Sequence, residues 1–287
     1  MKLDSVNYYS LEADQKYMSV SQFEAFAHGC EAAAYRRYVT GEDKSEESTA
    51  LRVGSYVHSY FESPEAHTAF CEENKELIMT KTGKLRTDFE KANQAIKAAE
   101  NCPAFMFFME GEREQIFTAK WLGVNWKIRC DVINHQKKYL VDLKYVKSLS
   151  QHDWMTVYRD EQGNYSRIQS EQLSTPKNIK VPFHIIWNYW QRMAIYQAIL
   201  LAATGEVYRP IIAGISKEEP PDIKILDMHN PEALEAEVSQ VAELLPRVLD
   251  IRKGKVKPTN CNNCASCRQQ MRQQGKCEIL TAEPFVL

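Results

Sequence analysis

The chain has 287 residues, of which 44% are hydrophobic and 26% are charged, a composition typical of a folded globular protein and not of a disordered one. A formal net charge of −2 excludes a strong overall positive field for attracting nucleic acid, although a local basic groove fits within a neutral total. The N-terminal residues contain no apolar signal core, and the longest apolar stretch, MAIYQAILLAA, is too short to span a bilayer. We therefore expect a soluble cytoplasmic protein.

The N-terminal third of the chain is predicted to be helical. A first helix is expected over residues 18–40. A second helix is expected to begin near Ser48, because apolar and aromatic residues recur with helical spacing until Pro64 ends the pattern. Further helical segments are expected over residues 87–109.

From Glu112 onwards the pattern changes to that of β-strands, in the segments EREQIFTAKW, VNWKIRCDVI and KYLVDLKYV. Residues 148–182 show few periodic features and are predicted to form a long loop. The segment IIWNYWQRMAIYQAILLAATG predicts an apolar helix that ends at Gly205. The later segment RPIIAGISKE predicts another strand, and residues 231–252 predict an amphipathic helix.

Helices that flank a central run of strands predict the α/β class, with a central mixed β-sheet in a single domain over residues 1–287. Three parts are distinguished within this domain. They are an N-terminal helical part (18–110), a sheet with its following helix (111–215), and a C-terminal helix with a cluster of cysteines (231–287).

The segment KYLVDLKYV contains a carboxylate and an ammonium group where a buried strand ordinarily has apolar residues. Asp142 and Lys144 lie two positions apart, so they share one face of the strand. Asp131 lies on the preceding predicted strand, and the short segment NHQKK between them predicts a hairpin. Two carboxylates brought close together favour a cation between them, and oxygen ligands favour Mg²⁺ or Mn²⁺. An ordinary exposed Asp–Lys pair is the alternative.

Two further side chains are candidates for the same site. His58 follows Gly54 by four residues, on one face of the predicted second helix, and a neutral imidazole is a good metal ligand. A histidine that is simply hydrogen-bonded in the core is the alternative. Glu114 lies on the strand before that of Asp131 and offers another carboxylate, with Glu110 and Glu112 as alternatives.

The order G-x3-H, E, D and D-x-K, followed by an aromatic-rich helix that ends in Tyr, resembles the PD-(D/E)XK nuclease superfamily, which has a restriction-endonuclease-like core. The resemblance is strongest to the branch that contains RecB nuclease domains, AddB-like nucleases and phage RecE-type (exonuclease VIII-like) proteins. It implies that Asp131 and Asp142 bind metal and that Lys144 is the catalytic lysine. It also implies that His58 is a further metal ligand and that Glu114 is the acidic residue before the core.

The same resemblance implies that the helix containing YWQRMAIYQ contacts DNA near the site. Tyr196 matches the tyrosine of this element, whereas Arg192 occupies the position of its glutamine and Gln191 lies one residue away. The expected function is that of a metal-dependent DNA exonuclease of the phage recombination type, which acts at linear DNA ends. A phage single-strand-annealing recombinase and a ring-like homo-oligomer are the implied partners. The alternatives are a non-catalytic nucleic-acid-binding protein on the same fold and an iron–sulfur structure-specific endonuclease.

The polar C-terminal segment NCNNCASC contains three closely spaced cysteines, Cys261, Cys264 and Cys267, which predict a metal site. A C-x2-C-x2-C pattern with a distant fourth cysteine is typical of iron–sulfur ligation, and a structural Zn²⁺ site is the alternative. The resemblance to AddB-like nucleases implies that Cys30 is the fourth ligand, as for a [4Fe–4S] cluster. Cys277 is the alternative fourth ligand.

The segment 148–169 interleaves aromatic side chains with cations, among them Trp154, Tyr158 and Arg159. This pattern is suited to stacking on single-stranded nucleic acid and to contacts with phosphates. A packed irregular loop is equally compatible with it.

Overall fold

The computed structural model describes residues 1–43, 48–159, 165–166 and 175–275. Cys277 therefore lies outside the described residues, as do the side chains of Tyr158 and Arg159. The chain divides into two compact units. One is formed from residues 1–46, 122–126 and 241–287, and the other from residues 47–121 and 127–240, as far as each is described. Among the described helices, none has the length and apolar character needed to cross a membrane.

The helices of the described residues are α1 (Leu11–Lys16), α2 (Val20–Ala27), α3 (Glu31–Tyr35), α4 (Thr49–Glu62), α5 (Pro64–Glu73), α6 (Lys75–Ile78), α7 (Thr87–Glu100), α8 (Pro103–Phe108), α9 (Phe183–Ile186), α10 (Tyr189–Thr204), α11 (Pro231–Arg252) and α12 (Ala265–Gln273). A π-helical turn, Arg36–Thr40, follows α3. The strands are β1 (Glu112–Trp121), β2 (Val124–Asn134), β3 (Tyr139–Val146), β4 (His152–Arg159), β5 (Tyr165–Ser166), β6 (Thr175–Pro182), β7 (Arg209–Ser216) and β8 (Ile223–Asp227).

The central sheet has five strands in the order β1-β2-β3-β7-β8. Strand β3 pairs antiparallel with β2 and parallel with β7, and β7 pairs antiparallel with β8. Val132 lies opposite Val141, so β2 and β3 form the hairpin that the short NHQKK segment predicts. The predicted α/β class with a central mixed sheet is confirmed.

The sheet and its helices share one apolar core in the unit that contains residues 47–121 and 127–240. The buried side chains come from α4, α7 and α8 and from β2, β3 and β7, and Val57, Phe89, Phe105 and Val141 are among them. Each such side chain contributes about 1.5–3 kcal/mol when it is removed from water. Because Val57 is fully buried in this core, the orientation of α4 is fixed, and with it the position of the next residue, His58.

The predicted helix over residues 18–40 is interrupted in the structure. Helix α2 ends at Ala27, and α3 starts at Glu31 with Cys30 at its N-cap position. Gly29 lies between them and passes so close to the Ala25 carbonyl that a Cβ would stand 2.6 Å from its oxygen. The absence of a side chain at Gly29 permits this turn, and the turn places Cys30 at a helix N-terminus.

The prediction of a long loop over residues 148–182 is wrong for its described parts. Strands β4 and β6 pair antiparallel from His152–Pro182 to Arg159–Thr175, and β5 pairs with the other edge of β4. One face of the β4–β6 pair contains the apolar residues Met155, Val157, Ile179 and Val181. This alternation is difficult to recognise in the sequence, because an exposed aromatic residue, Trp154, lies on the other face.

Candidate functional site

Helix α4 supplies the histidine of the site. The helix begins after Ser48, whose hydroxyl oxygen accepts a hydrogen bond from the Leu51 N–H at 3.3 Å. A Cβ added at Gly54 would meet nothing within 4 Å, so this face of α4 is open. Four residues further on, His58 Nδ1 lies 3.6 Å from Asp131 Oδ1. The open position at Gly54 and the imidazole of His58 therefore lie about one turn apart on the same side of α4.

Asp131 is held from two directions. Its Oδ1 faces His58, and its Oδ2 accepts a hydrogen bond of 2.6 Å from the backbone N–H of Leu143 on β3. Burial raises the pKa of Asp131, but the charge and hydrogen bonding of His58, the charge of Lys144 and the Leu143 N–H outweigh burial and lower the pKa to about 2. Burial lowers the pKa of His58 in turn, and the Asp131 carboxylate more than compensates, so that this pKa is raised. Asp131 is thus an anion at neutral pH.

Glu114 is the second carboxylate beside His58. Its backbone has a φ of 51°, a left-handed conformation that is rare for a residue other than glycine and costs on the order of 1–3 kcal/mol. Its Oε2 lies 2.7 Å from Arg129 Nε. Burial first, and then the charge of Asp131, raise the pKa of Glu114 to about 7, although Arg129 and His58 act in the opposite direction. The strained backbone therefore places a carboxyl group where its negative charge is disfavoured.

The two alternative glutamates lie elsewhere. The Glu110 side chain pairs with Lys137 at 2.5 Å and is 59% exposed. Glu112 faces His135 at 3.9 Å and is similarly exposed. Of the three acidic residues that the sequence offers, Glu114 is the one that the structure places with His58 and Asp131.

His58, Glu114 and Asp131 form a group that is suited to a metal ion. One nitrogen or oxygen from each of the three lies within 4.8 Å of the others. An imidazole nitrogen with two carboxylate oxygens is a donor set that suits Mg²⁺ or Mn²⁺. Burial and the neighbouring Asp131 charge disfavour the ionised form of Glu114, and a divalent cation would offset both effects. The residues present therefore fit the predicted ion.

Asp142 lies outside this group of three and forms an ion pair with Lys144. The Lys144 ammonium contacts Asp142 Oδ2, and both side chains are largely buried, at 19% and 5% exposure. The Lys144 Nζ also lies 5.6 Å from the centre of the Tyr189 ring. Asp142 and Lys144 are thus adjacent on β3 as the D-x-K pattern predicts. In this structure Asp142 balances the charge of Lys144.

The three candidate DNA-binding residues of α10 differ in their surroundings. The Gln191 side chain is fully buried, and its Nε2 donates a hydrogen bond of 3.4 Å to Glu237. The Tyr196 side chain is 8% exposed, and its hydroxyl donates to the Arg129 carbonyl oxygen at 3.3 Å. Arg192 is half-buried. Gln191 and Tyr196 are therefore buried within the protein in this conformation, which leaves Arg192 as the candidate for a phosphate contact.

Arg129 and Tyr189 belong to the site, although the sequence analysis does not include them. Arg129 precedes Asp131 by two positions on β2, so both residues point to the same face of the strand. That spacing is a usable indication once Asp131 is chosen. Tyr189 is the first residue of α10, and its position beside Lys144 depends on how α10 packs, which the sequence does not reveal.

A second group of potential ligands consists of Cys30, Cys261, Cys264 and Cys267, whose sulfur atoms all lie within 4.8 Å of one another. The Cys30 and Cys267 sulfurs are 3.4 Å apart, although 237 positions separate these residues in the sequence. Cys264 is the N-cap of α12, and its sulfur accepts a hydrogen bond from the Cys267 N–H at 3.4 Å. The structure thus places Cys30 with the three cysteines of the C-terminal segment.

Hydrogen bonds and burial give Cys261 and Cys264 unequal acidity. The backbone N–H groups of Cys264 and Asn263 lower the pKa of Cys261 to about 6. Burial raises the pKa of Cys264 to about 12. The guanidinium of Arg36 points to the Cys267 sulfur at 3.8 Å and is itself held by Ser266 Oγ at 3.0 Å and Gln270 Oε1 at 3.1 Å. Arg36 is therefore placed to offset negative charge on a set of thiolates.

The sulfur separations are compatible with a single ion. In a tetrahedral zinc site with Zn–S bonds of about 2.3 Å, the sulfurs lie about 3.8 Å apart. In a [4Fe–4S] cube each cysteine ligates a different iron, so the cysteine sulfurs stand farther apart. The observed group, with sulfurs within 4.8 Å of one another, is compact enough for Zn²⁺.

Comparisons with known proteins agree with the fold. A family model described as a PDDEXK-like domain of unknown function (DUF3799) matches residues 19–270. The crystal structure of a protein from Eubacterium rectale, described as a putative exonuclease, superposes with a TM-score of 0.80 and 32% sequence identity, covering 100% of this chain and 97% of that one.

A second solved structure, that of a protein designated SSO0001, has a TM-score of 0.26 and 13% identity, over 91% of this chain and 94% of its own. This likeness is too low to support an argument. A comparison with curated proteins found no match.

Proposed function

The chain belongs to the PDDEXK-like domain family, which confirms the predicted PD-(D/E)XK resemblance, and we propose on this premise that it is a metal-dependent nuclease that degrades DNA from its ends. The observation that carries the proposal is the juxtaposition of two groups of side chains. His58, Glu114 and Asp131 converge within 4.8 Å, and the Asp142–Lys144 pair lies on the strand whose backbone binds Asp131.

The ligand set for the proposed cation is His58, Glu114 and Asp131, with Asp142 as a further carboxylate. A bound Mg²⁺ or Mn²⁺ would supply positive charge to a phosphate and acidify a water molecule. The chain itself fixes the geometry, because the Leu143 N–H prevents Asp131 from turning away and Arg129 holds one oxygen of Glu114. Such preorganisation avoids reorganising the site during the reaction.

Lys144 is the proposed catalytic residue. Its ammonium is anchored by Asp142 and is placed to donate hydrogen bonds to the attacking water or to a phosphate oxygen. In hydrolysis the water oxygen forms a bond to phosphorus while the bond to the 3′ oxygen breaks, so that the products are a 5′-phosphate and a 3′-hydroxyl. The water loses one proton to solvent, and the 3′ oxygen gains one. Lys144 would stabilise the charge that develops on the phosphoryl oxygens.

The preference for DNA ends and the biological setting are the finer parts of the proposal. The Eubacterium rectale protein is described as a putative exonuclease, and its 32% identity over the whole chain supports the proposal of the same activity here. A role in phage-type recombination, with a single-strand-annealing recombinase as partner and a ring-like homo-oligomer, rests on the RecE-type resemblance. Arg192 is the proposed phosphate contact of α10, and the four cysteines are proposed to hold a structural metal.

Digestion of end-labelled DNA tests the proposal. Linear and covalently closed circular duplexes of the same sequence are incubated with the protein, with and without Mn²⁺. An exonuclease releases mononucleotides or short products from the linear DNA and leaves the circle intact. Cutting of the circle would indicate an endonuclease instead.

The Lys144→Ala variant supplies the catalytic control for this assay. Retained DNA binding without any cleavage by the wild-type protein would point to the predicted alternative, a non-catalytic nucleic-acid-binding protein. Equal activity of the wild-type protein and Lys144→Ala would refute the assignment of the site.

A further inference from the structure

Strands β4 and β6 form a two-stranded ribbon with a solvent-facing side that the proposed chemistry does not use. Two cross-strand pairs form the centre of this side, which also includes His152, Pro176 and Pro182, because partners across an antiparallel pair and positions two apart on a strand point the same way. We name them the exposed ribbon face: Trp154, Thr156, Asn178 and Lys180. Trp154 lies opposite Lys180, and Thr156 lies opposite Asn178.

The other side of the ribbon contains four apolar residues, two of them buried, together with the exposed Asp153 and Lys177. Val157 is 4% exposed and Val181 is 9% exposed, whereas Trp154 is 68% exposed. The ribbon is therefore packed through one side, and its tryptophan is not needed for that packing. The side chains of Thr156 and Asn178 hydrogen-bond to each other at 2.7 Å, which orders the surface beside the indole.

The charge of the ribbon is suited to a polyanion. In the described side chains of the ribbon, the lysines are Lys177 and Lys180, and the acidic residue is Asp153. Asp153 and Lys177 both point to the side opposite Trp154, so Lys180 is the lysine of the exposed ribbon face. On the exposed ribbon face a cation thus lies directly across from a large exposed aromatic ring.

The base of the ribbon lies beside the proposed catalytic lysine. The Phe183 N–H, directly after β6, donates to the Gln151 carbonyl oxygen at 3.0 Å, which closes the base of the ribbon. The Phe183 ring lies 6.0 Å from the Tyr189 ring, centre to centre, and Lys144 Nζ lies 5.6 Å from the Tyr189 ring centre. Two ring contacts therefore connect the base of the ribbon to Lys144.

We propose that the exposed ribbon face binds single-stranded DNA next to the cleavage site, with Trp154 stacking on a base and Lys180 contacting a phosphate. In a duplex the bases are stacked inside, so a protruding indole has no base to stack on, whereas every unpaired base offers a ring face. This inference rests on the proposed nuclease function and specifies its substrate as a strand that is single-stranded near the scissile bond.

Binding measurements on an uncleaved strand test the ribbon without depending on catalysis. In a Lys144→Ala background, the affinities for fluorescent oligo(dT) and for a blunt duplex are compared by anisotropy. Trp154→Ala should weaken oligo(dT) binding by about tenfold, and Trp154→Phe should retain most of the affinity because phenylalanine still stacks. Binding of the blunt duplex should stay within about twofold, since stacking needs an unpaired base.

Salt dependence separates the role of Lys180 from that of Trp154. A cation that contacts one phosphate of a single strand contributes about 0.7 to the slope of log affinity against log salt. Lys180→Ala should lower the slope by about that amount, and Trp154→Ala should leave it unchanged.

The matched controls lie in the other compact unit. Tyr9 is as exposed as Trp154, at 68%, and Lys253 is an exposed lysine. Tyr9→Ala and Lys253→Ala should both bind oligo(dT) like the parent protein. An equal effect of Tyr9→Ala and Trp154→Ala would overturn the proposal, and so would an equal loss of single-strand and duplex binding in Trp154→Ala.

Different results would contradict the ribbon inference and the nuclease proposal. If the wild-type protein cleaves DNA and Trp154→Ala binds oligo(dT) normally, the ribbon inference is wrong and the nuclease proposal stands. If no DNA is cleaved but Trp154→Ala loses single-strand binding, the nuclease proposal is wrong and the binding surface stands. On the active background, Trp154→Ala should raise KM for substrates with a single-stranded overhang without changing kcat.

Discussion

The two groups of potential metal ligands in this protein differ in how the chain assembles them. His58, Glu114 and Asp131 come from one helix and two strands of a single sheet unit, and a backbone N–H fixes one carboxylate. The four cysteines come from the two ends of the chain and meet at helix N-termini, where Cys30 and Cys264 occupy N-cap positions. The first group offers carboxylate and imidazole ligands, which suit a hard cation that would take part in catalysis. The second offers sulfur ligands, which suit a softer metal that would stabilise the fold. We therefore expect their losses to have different consequences.

The largest effect is expected from Lys144→Ala. Loss of a group that assists proton transfer or stabilises charge lowers turnover by roughly 10²–10⁴-fold. Metal affinity should change little, because Lys144 is not in the His58, Glu114 and Asp131 group. The melting temperature should fall, because the buried Asp142 carboxylate loses the ammonium that pairs with it. Steady-state cleavage of linear DNA and a Mn²⁺ titration measure the two quantities, and Lys97→Ala, on the exposed surface of α7, is the matched control. Near-native turnover by a folded Lys144→Ala protein would contradict a catalytic role.

The next largest effect is expected at the cysteines, and it should concern stability. Cys30→Ser and Cys264→Ser should each lose the metal and lower the free energy of unfolding by roughly 2–5 kcal/mol, the range for losing a comparable cross-link. Metal analysis and denaturant titration check both results. Cys102→Ser, outside both groups, should keep the metal.

Identification of the metal bound by the four cysteines makes this prediction more specific. We expect Zn²⁺, with which the sulfur separations are compatible, and iron in protein purified without oxygen would favour a [4Fe–4S] cluster instead. If Cys30→Ser keeps the full metal content and stability, Cys30 is not a ligand, and Cys277 becomes the candidate for the fourth.

A smaller effect is the dependence of the first site on pH. The pKa of Glu114, about 7, lies above its ordinary value, so in the metal-free protein its contribution to stability is present at low pH and is lost as pH rises through about 7. A divalent cation must displace the Glu114 proton at lower pH. The rise in melting temperature on adding Mn²⁺ should therefore be larger at about pH 8 than at about pH 6.

Glu114→Gln separates this effect from other titrations. The variant should be more stable than wild type without metal at about pH 8, because it lacks the disfavoured charge, and its response to Mn²⁺ should be weaker at both pH values. An unaltered pH dependence in Glu114→Gln would exclude Glu114 as its source. Calorimetric scans of the wild-type protein and of Glu114→Gln measure these stabilities and responses.

The smallest effect is expected from Gly54→Ala. Alanine is favoured over glycine in a helix by about 1 kcal/mol, and a Cβ at this position meets nothing within 4 Å, so the free energy of unfolding should rise by up to that amount. Chemical denaturation measures the change. If the open face at Gly54 admits DNA, the larger variant Gly54→Leu should raise KM while it keeps the stability. A fall in stability for Gly54→Ala would show that the open face is occupied.

The way in which each group of ligands is assembled also explains how much of that group can be predicted from the sequence. Asp131, Asp142 and Lys144 lie on one hairpin, so alternation and a short turn are enough to bring them together. The choice of Glu114 over Glu110 and Glu112 depends on a left-handed backbone conformation, which the residue type does not indicate. Cys30 has no local pattern that connects it to the distant C-terminal cysteines, so its assignment came from the family resemblance.

The β4–β6 ribbon shows a different limit of sequence analysis. The alternation of apolar and polar residues in its strands is short. It is also obscured by the exposed Trp154, a large apolar residue on the polar side. The exposed Trp154 therefore makes this segment resemble an irregular loop in the sequence. The assignment of α10 has a similar difficulty, because Tyr196 matches the DNA-binding pattern and Gln191 lies one residue from it, and yet both are buried.

The order of segments along the chain has a consequence for biosynthesis. All residues of the proposed catalytic group are made by position 144, whereas the cysteine group needs both Cys30 and Cys267. At about 5–20 residues per second, the ribosome leaves the Cys30 thiol without its partners for tens of seconds after it is made. During this interval the thiol is open to oxidants and to competing metals. If the four cysteines bind a metal, as proposed, that site is complete only after Cys267 has been made.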